Sequence, residues 1–274
     1  MQKEGPVRRL PALFALLVPV GAGLAYLWTA GAPQHYLAVN AGAFALGALW
    51  ILFGRGPRTA QGSRILVAIL LAICFAPLVT GPWVNGIARW LPIGGFALHA
   101  GAFSFPAIAV LAARDRDYAP PILLAVLLTA SIQPDAALGF AAVFAAIGLH
   151  DQTRDWRIGL VCIIGFAAAL IMVLEGELPP QPFVERIIAD AMKTSIAWAT
   201  GLLVSLAVGM ALMLFGAPFD NRARFALAGA FFGFSITALM SHYPSILIGY
   251  GASPILGFGL ALGLAMPSEK ETSS

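Results

Sequence analysis

Charged residues are scarce in this chain. Asp, Glu, Lys and Arg make up 11% of its 274 residues, where a soluble domain carries about 25%. So few cannot cover a globular surface in water. Cysteine is scarcer still. Cys74 and Cys162 both fall inside apolar runs, which weighs against a disulfide or a metal site and reads them as small core residues. Dense basic clusters are missing as well. The net charge of +3 is loop charge facing a cytoplasm rather than a nucleic-acid footprint, and no nucleic-acid partner is expected. No soluble domain is inserted and no internal repeat stands out.

What the chain has in excess is apolar residues, 59% hydrophobic with a mean hydropathy of +0.86. The fold class is therefore all-α, a polytopic helical bundle in a lipid bilayer, forming one integral-membrane domain over residues 1–274. Barrel strands would alternate, and these runs do not. Apolar segments read at about 10–30, 36–53, 64–80, 96–112, 119–132, 136–149, 157–174, 194–215, 224–241 and 246–266. The first has a basic start and a small-residue end, as a signal peptide would. Its length suits a retained transmembrane helix instead.

The stretch "LLTASIQPDAALGFA" interrupts the apolar run 119–149 with Gln133, Pro134 and Asp135. The positive-inside rule decides whether one helix or two lie there. With a turn at Pro134 and a cytoplasmic N-terminus, thirteen cations fall inside: Lys3, Arg8, Arg9, Arg55, Arg58, Arg64, Arg114, Arg116, Arg154, Arg157, Arg222, Arg224 and Lys270. Three fall outside, Arg89, Arg186 and Lys193. A single helix gives ten against six. The turn is preferred, which gives ten spans with both termini cytoplasmic and places Asp135 at or near the outer surface. There it caps the following helix, where its charge meets the helix dipole favourably. The flanking segments are short for about 30 Å of hydrocarbon, so the turn either sits below the surface or is shielded by neighbouring spans.

Three outer segments carry candidate chemistry. "EGELPPQPFVERIIADAMK", 175–193, concentrates Glu175, Glu177, Glu185 and Asp190 with Arg186 and Lys193. Its second half has helical spacing from Phe183 and reads as an interfacial helix. A carboxylate there could act as a general base on an alcohol, or hold a divalent cation beside a phosphate. The plainer alternative is a solvated loop pairing its own charges, such as Glu185 with Lys193. "GPWVNGIARWLPIGGFALHAG", 81–101, carries Arg89 between Trp83 and Trp90. Arg89 either grips a lipid phosphate or snorkels to headgroups. His99, just inside the next span, is read as hydrogen-bonded packing. "SHYPSILIGYGASPILGFG", 241–259, reads as a broken start to the final span.

In order, "NGIARWLPIGGF", "IQPDAALGFA", "LPPQPFVERI", "NRARFA" and "IGYGAS" resemble the SEDS family, the RodA, FtsW and SpoVE proteins of shape, elongation, division and sporulation. The resemblance runs from about residue 81 to 266. It implies polymerisation of peptidoglycan glycan strands from lipid II, a lipid-linked precursor, on the outer face of the bacterial inner (cytoplasmic) membrane. It also implies a class B penicillin-binding protein as partner. By motif, it assigns substrate binding to Asn85, Arg89, Trp90, Gln133, Arg186, Tyr250 and Ser253. The chain departs from the family in length and in three motifs, one being the "LGTA" after "QPD", which has become "ALGF". The "TDF"-like motif of the outer loop is absent, and His99-Ala100-Gly101-Ala102 stands in place of "QPSE". Glu185, then Asp135, are the candidate catalytic carboxylates. No cofactor or metal centre is expected beyond such a divalent cation. A non-catalytic SEDS-like scaffold and a small-solute transporter are the alternative readings. Spans nearly free of charge weigh against the transporter.

Overall fold

The computed structural model describes residues 6–176 and 178–264. Lys3, Glu177 and Lys270, with the last two residues of the span read to 266, lie outside the described residues. After a short 3-10 turn, the helices are α1 Leu10–Thr29, α2 Gln34–Phe53, α3 Ala60–Phe75 and the brief α4 Pro77–Thr80. Strands β1 Trp90–Ile93 and β2 Phe96–His99 follow, then α5 Ala100–Arg114, α6 Ala119–Ile132, α7 Ala136–Thr153 and α8 Trp156–Glu175. The chain closes with α9 Ile187–Thr194, α10 Ile196–Ala211, α11 Asn221–Met240 and α12 Ala252–Leu264.

The helix starts follow local chemistry. Asp135, Asp155 and Asp220 are the N-caps of α7, α8 and α11, accepting from the N–H groups of Leu138, Arg157 and Ala223 at 3.2, 2.9 and 2.8 Å. Each satisfies an N–H that the helix itself cannot. The turn expected at Gln133–Asp135 is present, between α6 and α7.

Three boundaries differ from the sequence reading. Residues 96–99 form a strand rather than the start of a helix, because Gly94 and Gly95 close a two-residue hairpin with Ile93 opposite Phe96 and Trp90 opposite His99. The all-α fold thus carries one small hairpin. The surface helix begins at Ile187 rather than Phe183, since Phe183 and Arg186 hold left-handed φ angles of 65° and 59°. The last helix begins at Ala252, and 246–251 is irregular.

Among the described residues six spans are long and apolar enough to cross a membrane: α1, α2, α3 with α4, α8, α10 with its π-helical end, and α11. They carry bare apolar side chains outward, with Leu174 85% and Ile163 71% exposed, as a lipid-facing surface requires. The shorter α5, α6 and α12 are largely buried. Fourteen residues of α6 reach only about 21 Å at 1.5 Å per residue, short of the roughly 30 Å core. Irregular segments complete these helices within the protein, which is where non-helical backbone is tolerated at that depth.

Helices α7 and α11 pack closely through small residues. A Cβ built on Gly233 would stand 2.5 Å from the Ala141 Cα, a distance that allows no side chain at that crossing. Gly233→Val should therefore lower stability by about 1–3 kcal/mol. Gly21→Ala, whose Cβ would meet nothing within 4 Å, should not lower it. Thermal unfolding of the detergent-purified variants checks both.

Candidate functional site

Connections gather at the two ends of the bundle. One end holds the 81–99 segment, the Gln133–Asp135 turn, the 176–186 loop and the 241–251 break. These four segments meet around Arg89.

Arg89 directly precedes β1 and is 3% exposed. Its guanidinium donates to the carbonyls of Gln133 and Pro134, to the Gly176 carbonyl, and to the Tyr243 hydroxyl at 3.2 Å. Gln133 is the C-cap of α6 and Gly176 that of α8. One cation therefore caps two helices, supplying donors to carbonyls left without intrahelical partners and placing positive charge at two negative dipole ends. The guanidinium also lies 5.0 Å from the Tyr243 ring centroid, a cation–π distance. Arg89 is thus directed inward; neither snorkelling nor a surface phosphate accounts for its donors.

The turn is buried, as the shortness of its flanking segments requires. Gln133 is 1% and Asp135 0% exposed. Gln133 donates through Nε2 to the Cys74 carbonyl at 2.7 Å, tying the turn to the last turn of α3. Tyr243, also buried, accepts from the Ala136 N–H at 3.0 Å and lies 3.3 Å from the Gly176 carbonyl, to which it can donate. A buried polar turn is costly without partners, and here Arg89, Tyr243 and the α3 carbonyl supply them.

Asp135 uses Oδ1 as the α7 cap. Its Oδ2 faces His99 Nε2 at 3.5 Å and has no hydrogen bond within normal distance. His99 Nδ1 accepts from the Ala102 N–H at 3.2 Å, so a neutral imidazole carries its proton on Nε2, aimed at Asp135. The His99 N–H donates to Ser253 Oγ at 2.8 Å, and the Trp90 ring meets the imidazole edge-on at 6.0 Å between centroids. His99 is hydrogen-bonded packing, as read, and it also faces the candidate carboxylate.

The remaining candidates stand apart from this buried cluster. Glu185 is half-buried in the loop above it. Its carboxylate accepts from the Gln181 N–H at 2.6 Å, and its backbone bridges to Pro244. Burial pushes the Glu185 carboxyl up from its ordinary value, against the backbone hydrogen bonds that pull it down. Lys193 pairs with Asp190 at 2.8 Å, not with Glu185. Arg186 is exposed. Tyr250 stacks on Tyr36 at 3.6 Å and 4°, and its N–H donates to the Phe183 carbonyl at 2.6 Å. Asn85 is exposed in a two-residue turn with Gly86, at φ angles of 51° and 78°, the conformation for which Asn-Gly is favoured. Among the described residues no group of three or more His, Cys, Asp or Glu side chains is placed to hold a metal ion.

Sequence reasoning passed over Tyr243 altogether. The only local signal is an aromatic beside Pro244 in the break before the last helix. The hairpin was more legible, since Gly94-Gly95 lies between two short apolar runs.

These features define a helical membrane fold with a buried polar seam at one end. No family model matches the chain, and no curated protein matches it. Solved structures do. The fold is that of Thermus thermophilus rod shape determining protein RodA, with a TM-score of 0.65 at 18% identity over 92% of this chain and 93% of that chain. A variant of that protein with one aspartate replaced by alanine gives 0.68 at 19% identity, over 92% and 94%. A chain from a peptidoglycan synthase complex that coordinates polymerization and crosslinking gives 0.65 at 20% identity, over 92% and 95%. The similarity to SEDS proteins read from five short motifs thus extends to the architecture of nearly the whole chain.

Arg89→Ala strips donors from two helix ends and should cost at least about 2 kcal/mol, more than a neutral hydrogen bond is worth. Arg89→Lys should recover only part of that, since an ammonium lacks the fork that spans both helices. Chemical unfolding in detergent reads the difference. Equal stability of the alanine variant and the parent would show that the guanidinium is not a structural cap.

Proposed function

We propose that this protein is a SEDS-like cell-envelope protein that handles lipid-linked peptidoglycan precursor at the face bearing the seam. The observation that carries this reading is the RodA fold over 92% of the chain, joined to a half-buried carboxyl on that same face. By the positive-inside rule the end rich in arginine faces the cytoplasm, which puts the seam on the outer face of the inner membrane and both termini inside.

Glu185 is the proposed general base on the acceptor hydroxyl. Its raised affinity for a proton suits it to proton transfer, and the loop that holds it is tied to the seam through the Pro244 bridge. Exposed Arg186 is the proposed partner of the lipid diphosphate, since the donors of Arg89 are already directed to carbonyls. The new glycosidic bond forms as the lipid diphosphate leaves, and the hydroxyl proton passes to Glu185. Asp135, enclosed and paired with His99, holds the shape of the seam from below. A class B penicillin-binding protein is the proposed partner, in line with the synthase complex among the structural neighbours. Alternatively, Glu185 would hold a divalent cation, which would supply positive charge to the leaving diphosphate.

A non-catalytic scaffold is the second reading. It is favoured by the internal commitment of Arg89 and Asp135, two residues of the family-like motifs. No observation favours the transporter.

The purified protein assayed with lipid II, alone and with a class B penicillin-binding protein, separates the two. Glycan polymer should form, with turnover rising as pH passes above the ordinary glutamate value of 4.5. Glu185→Gln should lower the rate by about a hundredfold to ten-thousandfold while leaving unfolding temperature unchanged. No polymer from the wild type, with the transpeptidase still co-purifying, would establish the scaffold instead.

A further inference from the structure

A cavity of about 390 Å³ opens at the arginine-rich end, opposite the seam. Helices α6, α8 and α11 begin at its wall, through Ala119, Asp155 and Arg222, while α5 and α7 end there. Three guanidinium groups line it, Arg116, Arg157 and Arg222, with Asp117 and Asp155. Arg157 is locked. It forks onto Asp155 at 2.7 Å and donates to the Arg116 carbonyl at 3.2 Å. That pair neutralises itself and pins the loop carrying Arg116. Arg116 and Arg222 make no side-chain ion pair among the described residues, so with Asp117 the wall keeps one positive charge in excess.

Two aromatic side chains set the level of this cavity. Trp156 is 73% and Tyr118 48% exposed, and they neighbour the lining residues Asp155, Arg157, Asp117 and Ala119. Exposed Trp and Tyr at helix ends mark the headgroup layer. The cavity therefore opens at headgroup level with a basic wall between helices, the arrangement that takes anionic headgroups on the cytoplasmic side. Its volume lies in the range of small-ligand sites and exceeds what a bare phosphate needs, leaving room for a glycerol or sugar ester.

We infer that this cavity is a binding site for a phosphate-bearing group, held by Arg116 and Arg222 against a wall fixed by Arg157 and Asp155. The group is either the headgroup of an anionic phospholipid or a soluble phosphate. The inference rests on this end of the molecule alone and stands whichever chemistry the seam performs.

The full chain in nanodiscs is the material for the test. One arm compares phosphatidylcholine discs with discs containing phosphatidylglycerol. The other adds inorganic phosphate to phosphatidylcholine discs, with chloride at equal ionic strength as control. Unfolding temperature is read in both arms, and lipid carried through native mass spectrometry in the first. A rise with phosphatidylglycerol identifies the lipid as source, and a rise with phosphate the soluble anion; either supports the site. Arg116→Gln with Arg222→Gln should weaken retention roughly thirtyfold, about fivefold per arginine. Arg55→Gln with Arg58→Gln, which removes equal charge from a loop outside the cavity, should keep the effect. The site is refuted by no rise in either arm, or by equal loss in both variant pairs. The wild-type arms decide the matter even if the double variant folds poorly.

Discussion

The Arg89 guanidinium is the constraint on which this end of the molecule depends. A cation in a membrane protein's interior is costly to desolvate, and Arg89 offsets that by serving four acceptors at once. Those acceptors belong to the ends of α6 and α8 and to the segment before α12. Without it, two helix ends would point bare carbonyls into a dry interior. Tyr243 extends the same arrangement, joining Arg89 to the first N–H of α7. Asp135 faces His99 at 3.5 Å and Arg89 meets Tyr243 at 3.2 Å, so the buried polar side chains share neighbours rather than standing alone.

This arrangement explains how short helices fit a bilayer. Helices α6 and α12 cannot cross it alone, and each stops where an irregular segment takes over. That segment survives because its polar groups are paired within the protein. The turn is thereby enclosed, whereas Glu185 and Arg186 stand in the more exposed loop above it. The opposite end is built differently. There Arg64 pairs with Asp115 at 2.6 Å and Arg157 with Asp155 at 2.7 Å, while Arg9, Arg114 and Arg224 donate to backbone carbonyls.

Much of the architecture was legible in the sequence. Apolar runs located the helices, and the distribution of arginine between loops decided that the chain turns at Pro134. Capping by Asp135 followed from its place after a proline and before an apolar run. The short flanking segments pointed to a sunken or shielded turn, but not to the residues that enclose it. Gln133 and Asp135 are polar residues in a turn, and local rules place such residues at a surface. Their burial is decided by Arg89, 44 residues earlier than Gln133, and by Tyr243, 107 residues later than Ala136. Nothing local announces either partner. The hydrogen-bonded packing of His99 was legible, but the distant carboxylate it faces was not. The hairpin failed differently, because a short apolar run followed by an apolar helix reads as one helix unless the two glycines are given weight.

The central claim is that the seam end, with Glu185 above it, is where a lipid-linked glycan precursor is held. A photocrosslinking lipid II analogue, mapped by peptide mass spectrometry on the membrane-embedded protein, tests this directly. Crosslinks are expected in 81–99, 176–186 and 241–251, and are expected to be displaced by unlabelled lipid II. Displaceable crosslinks confined to the arginine-rich loops 115–118, 154–158 and 217–222 would contradict it.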